Sequence, residues 1–280
     1  MTDFDLSPLH IAGLLRAHGL NPKKSLGQNF LLDQAALRKI TEAAEIPAGG
    51  EVLEIGPGLG SLTRYLARAA GRVVAVELDD KLIPILQEVL RDTPGVEIIH
   101  GDILQQDPAR LMGNPGYRVV ANIPYYITSA VIRHLLEARI QPACMVLTMQ
   151  KEVAERICAT PGEMSLLALS VQVYGEAKVV GRIPAGAFFP PPAVDSLVLR
   201  VDILPTPRIP VGQLGVFFQL IKAGFSQKRK TLRNSLSGGL GSKPQAVEEK
   251  LKAAGIDPQR RAETLSIEEW KELTEGFSAN

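Results

Sequence analysis

The residues best suited to chemistry gather at the end of a short apolar run. Glu54-Ile55-Gly56-Pro57-Gly58-Leu59-Gly60 sets three glycines at alternate positions where a strand should give way to a helix. Glycines there tolerate positive φ and let backbone amides come close to a ligand. A dinucleotide fingerprint, G-x-G-x-x-G, would need its last glycine at position 61, which is Ser61, so the pattern here is G-x-G-x-G. Glu77 lies 21 positions after Gly56 and ends the next apolar run. A carboxylate in that place can receive both hydroxyls of a ribose. Asp102 ends the third run, where it can accept a hydrogen bond from an adenine amino group. Each acid alone would be an ordinary loop residue, and the glycines alone an ordinary tight turn. Together, in register at one sheet edge, they point to an adenosine-containing ligand. No G-x-x-x-x-G-K-[ST] segment is present, which argues against an ATP P-loop.

The elements that must hold these positions alternate in type. Residues 52–55, 72–76, 96–100, 118–121 and 143–149 read as strands, with helices over 61–69, 81–90, 129–138 and 151–158. Near-continuous apolar strands separated by helices imply a parallel sheet covered on both faces. Before them, Ser7-Pro8 should open a short helix to about 18, 21–30 is a basic loop containing glycine, and Asp33 can cap a helix to about 45. After them come a helix over 165–173 and strands over 178–183 and 196–203. Pro205, Pro207 and Pro210 then mark a boundary, since proline removes amide donors and rejects a helix interior. Helical periodicity follows over 211–225, 229–236, 244–254 and 267–277. The expected organisation is an α/β domain over 1–203, with an N-terminal extension over 1–32, and a small all-helical domain over 204–280.

The glycine spacing and its acids resemble those of class I S-adenosylmethionine-dependent methyltransferases, and that resemblance, not the spacing alone, supplies the sulfonium cofactor. The fourth strand ends at the same edge in Asn122-Ile123-Pro124-Tyr125. An adenine amine is a poor nucleophile because its lone pair is conjugated with the ring. A site that methylates it needs acceptors for the two amine hydrogens. The Asn122 oxygen and the Ile123 or Pro124 carbonyl are candidates, proline fixing the turn, and Tyr125 can stack on a flipped base. Positioning and electrostatics should supply the rate, with no strong general base. In Phe188-Phe189-Pro190-Pro191-Pro192 the prolines stiffen the chain, so that Phe188 or Phe189 can form a second aromatic wall or a hydrophobic cover for the sheet.

Composition narrows the class further. Apolar residues make up 45% and charged residues 22% of 280, as in a globular protein. Two cysteines, Cys144 and Cys158, form no disulfide framework and no zinc motif, which fits a reduced cytoplasmic setting without a metal. The first residues carry acids and no basic n-region, and no uncharged stretch reaches the ~18 residues of a spanning helix, so no membrane role is expected. Net charge is only +1, yet the 45 residues 203–247 hold seven cations and no acid. That asymmetry is a candidate polyanion footprint.

Taken together, the motifs resemble the KsgA-type ribosomal RNA adenine dimethyltransferase family. The matching segments are Lys24-Ser25-Leu26-Gly27-Gln28-Asn29-Phe30-Leu31, the Glu54 to Gly60 loop, Asn122 to Tyr125, Phe188 to Ser196, and Gly224 to Leu232, in family order along nearly the whole chain. The resemblance implies S-adenosylmethionine held by Asn29 and Leu31, by Gly56, Gly58 and Gly60, by Glu77 at the ribose and by Asp102 at the adenine. It implies Asn122 between cofactor and target, Pro124 in the same turn, and Tyr125 and Phe188 sandwiching the target adenine. The implied reaction dimethylates two adjacent adenines near the 3′ end of 16S rRNA in a pre-30S particle, by a monomeric enzyme. Lys222, Lys228, Arg229, Lys230 and Arg233 would then bind RNA phosphates, with Lys23 and Lys24 contributing similarly. Ile123 replaces the leucine common in bacterial members and is usual in resistance-type enzymes that methylate large-subunit RNA, which is the alternative target. A non-catalytic nucleic-acid-binding assembly factor on the same fold is a further alternative, and an amino-methyltransferase of DNA or protein glutamine another.

Overall fold

A computed structural model describes residues 6–124 and 127–278. Its strands are β1 (Phe30–Leu31), β2 (Glu51–Ile55), β3 (Arg72–Glu77), β4 (Val96–His100), β5 (Arg118–Asn122), β6 (Cys144–Gln150), β7 (Gly175–Ile183), β8 (Phe188–Phe189) and β9 (Ser196–Ile203). Its α-helices are α1 (Ile11–Ala17), α2 (Gln34–Ala43), α3 (Ser61–Ala69), α4 (Ile83–Val89), α5 (Pro108–Met112), α6 (Thr128–Leu136), α7 (Lys151–Ile157), α8 (Leu166–Gln172), α9 (Leu214–Phe225), α10 (Leu232–Leu240), α11 (Pro244–Ala253) and α12 (Ile267–Ser278).

Seven strands form one sheet in the order β4-β3-β2-β5-β6-β9-β7. From β4 to β6 neighbouring strands are parallel, and β9 joins β6 antiparallel. Val52, Leu53, Val73, Val74, Val119, Val120, Val146 and Leu147 are all fully buried, so the central strands are covered on both faces. This is the mostly parallel α/β sheet expected from the runs of apolar residues. β2 is flanked by β3 on one side and β5 on the other. At such a reversal of strand order the connections diverge and leave a crevice at the carboxyl ends of the strands. Gly56, Glu77, Asp102 and Asn122 all lie at or just beyond those ends.

The chain divides into two compact units. One comprises residues up to Ala154 with Lys178–Ile203; the other comprises Glu155–Ala177 and Leu204 onward. The sequence predicts a single boundary at 203, whereas residues 155–177 group with the tail. Helix α8 accounts for this, because it packs on α9. The amides of Gly162 and Met164 also donate to the Glu263 carbonyl. The core of this helical unit holds Phe217, Leu236 and Trp270, all fully buried.

The N-terminus also differs from expectation. Helix α1 begins at Ile11, a turn after Ser7-Pro8. Leu6 is drawn into the sheet core instead, and its carbonyl accepts from Gln34 Nε2, while the Ser7 carbonyl accepts from Arg64. Asp33 caps α2 as expected, its side chain accepting from the Ala36 amide at 2.7 Å.

Candidate active site

The crevice is an open cleft of about 980 Å³. Its walls come from the segment 26–31, the glycine loop, and the ends of β3, β4 and β5. Asn29, Leu31, Gly56, Gly58, Glu77, Asp102, Asn122 and Pro124 of the expected site residues all line it.

Gly58 shows why the loop needs glycine. It sits at φ 59°, and a Cβ there would lie 3.0 Å from the Phe30 ring. Its amide donates to Glu77 Oε2 at 2.9 Å, and the Asp79 amide donates to Oε1 at 2.8 Å. Both oxygens of this buried carboxylate are therefore held in place by backbone. Burial raises the Glu77 pKa, and the amides of Asp79 and Gly58 oppose that rise. Gly60 is not on the cleft wall. It is the N-cap of α3 at φ 85°, and a Cβ there would meet Leu86 at 3.0 Å, so its role is in the turn and its packing. Asp102 caps the turn Ile103–Gln105 through the Leu104 amide, 3.0 Å from Oδ1.

Leu78 and Ile103 also line the cleft, each beside one of the acids, and Leu78 is 45% exposed. They were absent from the sequence reading, although their place next to Glu77 and Asp102 was a usable signal. Apolar walls beside polar anchors suit a flat heterocycle. Glu54 lines the same cleft yet is fully buried, and its Oε2 has no hydrogen-bond partner. Burial pushes its carboxyl up to about 8; the charge of Glu77 adds to this, and the Thr63 hydroxyl relieves it in part.

Asn122 ends β5 with its carboxamide oriented from a distant segment. Its Nδ2 donates to the Asn29 carbonyl at 3.0 Å. With one branch of the amide occupied as a donor, Oδ1 on the other branch is the acceptor. An adenine amine requires such an acceptor. The fourth residue of this motif, Tyr125, lies outside the described residues. Phe188 does not stand on the cleft wall: it is 3% exposed and packs in the sheet core. The cause is a two-stranded ladder not anticipated from the sequence, in which β1 pairs antiparallel with β8, Leu31 facing Phe188 and Phe30 facing Phe189.

Lys222 is exposed on α9, and Lys228, Arg229 and Lys230 are exposed on the turn before α10, so that Arg229 and Lys230 precede the helix expected to begin at 229. Arg233 is different, because its guanidinium is paired with Glu248 at 2.9 Å. Lys23 is likewise committed, to Asp79 at 2.7 Å. Among the described residues no cluster of three or more His, Cys, Asp or Glu could hold a metal ion, and no helix is long and apolar enough to cross a membrane.

The strand order, with its cleft at the β2–β5 reversal, is shared with solved methyltransferases, which places the chain in the class I methyltransferase fold. The family model described as ribosomal RNA adenine dimethylase matches residues 19–278, and the chain belongs to that family. It is an rRNA adenine dimethyltransferase, and the fold implies S-adenosylmethionine as methyl donor. Ribosomal RNA small subunit methyltransferase A of Dehalococcoides mccartyi (strain CBDB1) is 48% identical over 269 residues, covering 95% of this chain and 92% of that protein. Among solved structures, the 23S rRNA methyltransferase ErmE aligns with a TM-score of 0.72 at 30% identity, over 89% of this chain and 100% of its own. A dimethyladenosine transferase from Plasmodium falciparum aligns with a TM-score of 0.77 at 25% identity, over 89% and 97%.

Proposed function

We propose that this chain dimethylates the exocyclic amines of two adjacent adenines in the 3′-terminal hairpin of 16S rRNA within a pre-30S particle, acting as a cytoplasmic monomer. The choice of the small-subunit target rests on one contrast: 48% identity to a small-subunit methyltransferase against 30% to a large-subunit enzyme.

The buried Glu77 carboxylate, pre-set by two amides, and the tight approach at Gly58 fit an adenosyl ligand. Glu77 would hold the ribose, Asp102 the adenine amine, and Asn29, Leu31, Gly56 and Gly58 the rest of the molecule. Bound there, S-adenosylmethionine supplies a methyl group already activated on sulfur. What remains for the protein is to place the target amine. Asn122 Oδ1 and the Ile123 or Pro124 carbonyl accept its two hydrogens, which turns the nitrogen lone pair toward the methyl donor. Positioning of this kind accounts for much of a transfer that needs no strong base. Tyr125 stacks on the extruded base. Lys222, Lys228, Arg229 and Lys230 bind phosphates and leave base selection to the cleft.

The test is labelled methyl transfer to unmethylated 30S particles, naked small-subunit RNA and 50S particles in parallel, with wild type and Asn122→Ala. Label should enter 30S particles only. Asn122→Ala should lose transfer while calorimetry shows cofactor binding largely retained. Label in 50S particles would overturn the target, and wild-type turnover by Asn122→Ala would overturn the mechanism.

A further inference from the structure

Asp79 is a charged group beside the cleft that the chemistry above does not use, and it is only 4% exposed. Both of its oxygens are taken by the N-terminal segment. Lys23 Nζ donates to Oδ1 at 2.7 Å, and Gln28 Nε2 donates to Oδ2 at 2.8 Å. Gln28 closes a ring by accepting from the Lys23 amide at 2.8 Å. Burial alone would raise the Asp79 carboxyl, yet the bonds from Lys23, Gln28 and the Lys81 amide outweigh it and hold the group below the ordinary carboxylate range.

The backbone of the same residue serves the cofactor side, its amide donating to Glu77 Oε1. The segment it grips continues into Asn29, whose carbonyl receives Asn122 Nδ2, and into β1, which pairs with β8. One residue is thus bonded to the ribose-binding carboxylate and to the segment that orients the target-binding carboxamide.

We propose that Asp79 is a positioning residue: by gripping Lys23 and Gln28 it fixes residues 23–31 along the cleft, so that Glu77 and Asn122 are set before any ligand arrives. This rests on the reading of the cleft as a cofactor and target-amine site. A surface ion pair between two mobile side chains contributes little. Here the acid side chain is 2% exposed and the lysine 36%, and a second donor fixes the other oxygen, so the geometry is determined.

The experiment compares wild type, Asp79→Asn, Lys23→Met and the double variant. The first readout needs no ligand: hydrogen exchange of the amides of residues 26–31. Their protection should fall at least ~10-fold in either single variant, while β2 and β5 keep theirs. The calorimetric Kd for S-adenosylmethionine should rise by about 10-fold as pre-organisation is lost. With cofactor and 30S particles saturating, kcat should still fall by roughly 10- to 100-fold, because a misplaced Asn122 is not corrected by binding. The double variant should be no worse than either single one. A lowered melting temperature with Kd and saturated kcat unchanged would mean a merely structural ion pair and would overturn the proposal, as would fully additive losses. Wild-type protein that bound no S-adenosylmethionine would overturn the cleft reading itself, a result distinct from any difference among the variants.

Discussion

The stability of Glu54→Gln relative to wild type in the sheet unit should rise steadily with pH. Glu54 is 1% exposed, one of its oxygens has no partner, and burial pushes its pKa up to about 8. In the unfolded chain the same carboxyl titrates near 4.5. Between those two values the folded protein retains a proton that the unfolded chain gives up. The sign follows: folding is favoured most below the unfolded pKa, loses ground as pH rises through the window, and levels off above the folded pKa. Relative to a neutral side chain of the same shape, the cost of Glu54 is about 1 kcal/mol at pH 5, about 3 at pH 7 and about 4 at pH 8. Glutamine is that neutral shape at every pH. Its amide lacks a ready acceptor, which subtracts roughly 1–3 kcal/mol by an amount that does not vary with pH. The slope is therefore the diagnostic quantity: the advantage of Glu54→Gln should widen by about 3 kcal/mol from pH 5 to pH 8. The only tryptophan, Trp270, lies in the helical unit, so its fluorescence reports the other part of the molecule. Hydrogen exchange of the β2 and β5 amides, corrected for intrinsic rates, reads the sheet unit directly. A difference between variant and wild type that stays flat from pH 5 to pH 8 would show that Glu54 folds in its charged form, against the reasoning.

Two further outcomes test the walls and the RNA surface. Gly58→Ala places a side chain at φ 59° with its Cβ 3.0 Å from the Phe30 ring. The strain of about 1–2 kcal/mol should displace the loop and weaken S-adenosylmethionine binding about 10-fold in calorimetry, with Trp270 emission unchanged. Replacing Lys228 and Lys230 with alanine should reduce the slope of log Kd against log salt for naked small-subunit RNA by about two, one per lost phosphate contact. Arg233→Ala, which removes a guanidinium paired with Glu248, should leave that slope nearly unchanged.

The sheet was legible because each central strand is a continuous apolar run, and burial on both faces is what such runs record. Glu77, Asp102 and Asn122 were legible because they stand where those runs stop. Contacts between distant segments were not. The bond from Asn122 to Asn29 spans 93 positions. The β1–β8 ladder joins strands of two residues each, too short to carry a periodicity. Without it the sequence leaves Phe188 open as an aromatic wall or a cover for the sheet, and its place opposite Leu31 sends it into the core. Asp79 carries no local signal, since nothing in the neighbouring sequence reveals that Lys23 and Gln28 come back to it. Helical periodicity predicts a helix from Arg229, but the Lys230 amide closes a turn on the Gln227 carbonyl at 3.0 Å, and α10 starts only at Leu232.

Charge separates the two tasks this enzyme must combine. Glu54, Glu77 and Asp102 all line one cleft, with Asp79 close behind, and two carboxyls as near as Glu54 and Glu77 do not readily ionise together. The local donors decide which gives way. Glu77 has two backbone amides on its oxygens, which oppose the rise that burial causes, whereas Glu54 has an oxygen with no partner and is pushed up to about 8. Lys23 offsets Asp79, so the wall is left net negative through Glu77 and Asp102. Such a wall attracts a sulfonium and repels a phosphate backbone. On the proposed function the RNA grip comes from outside the cleft, and the acid-free stretch around Lys228, Arg229 and Lys230 is the candidate for it. Only an extruded, uncharged base need then enter the acidic pocket, and a carboxamide can receive a neutral amine where a carboxylate would compete with the acids already there. On the proposed function a carboxamide therefore suits the tip of β5 better than a carboxylate, and the Asn29 carbonyl of the N-terminal segment holds its orientation.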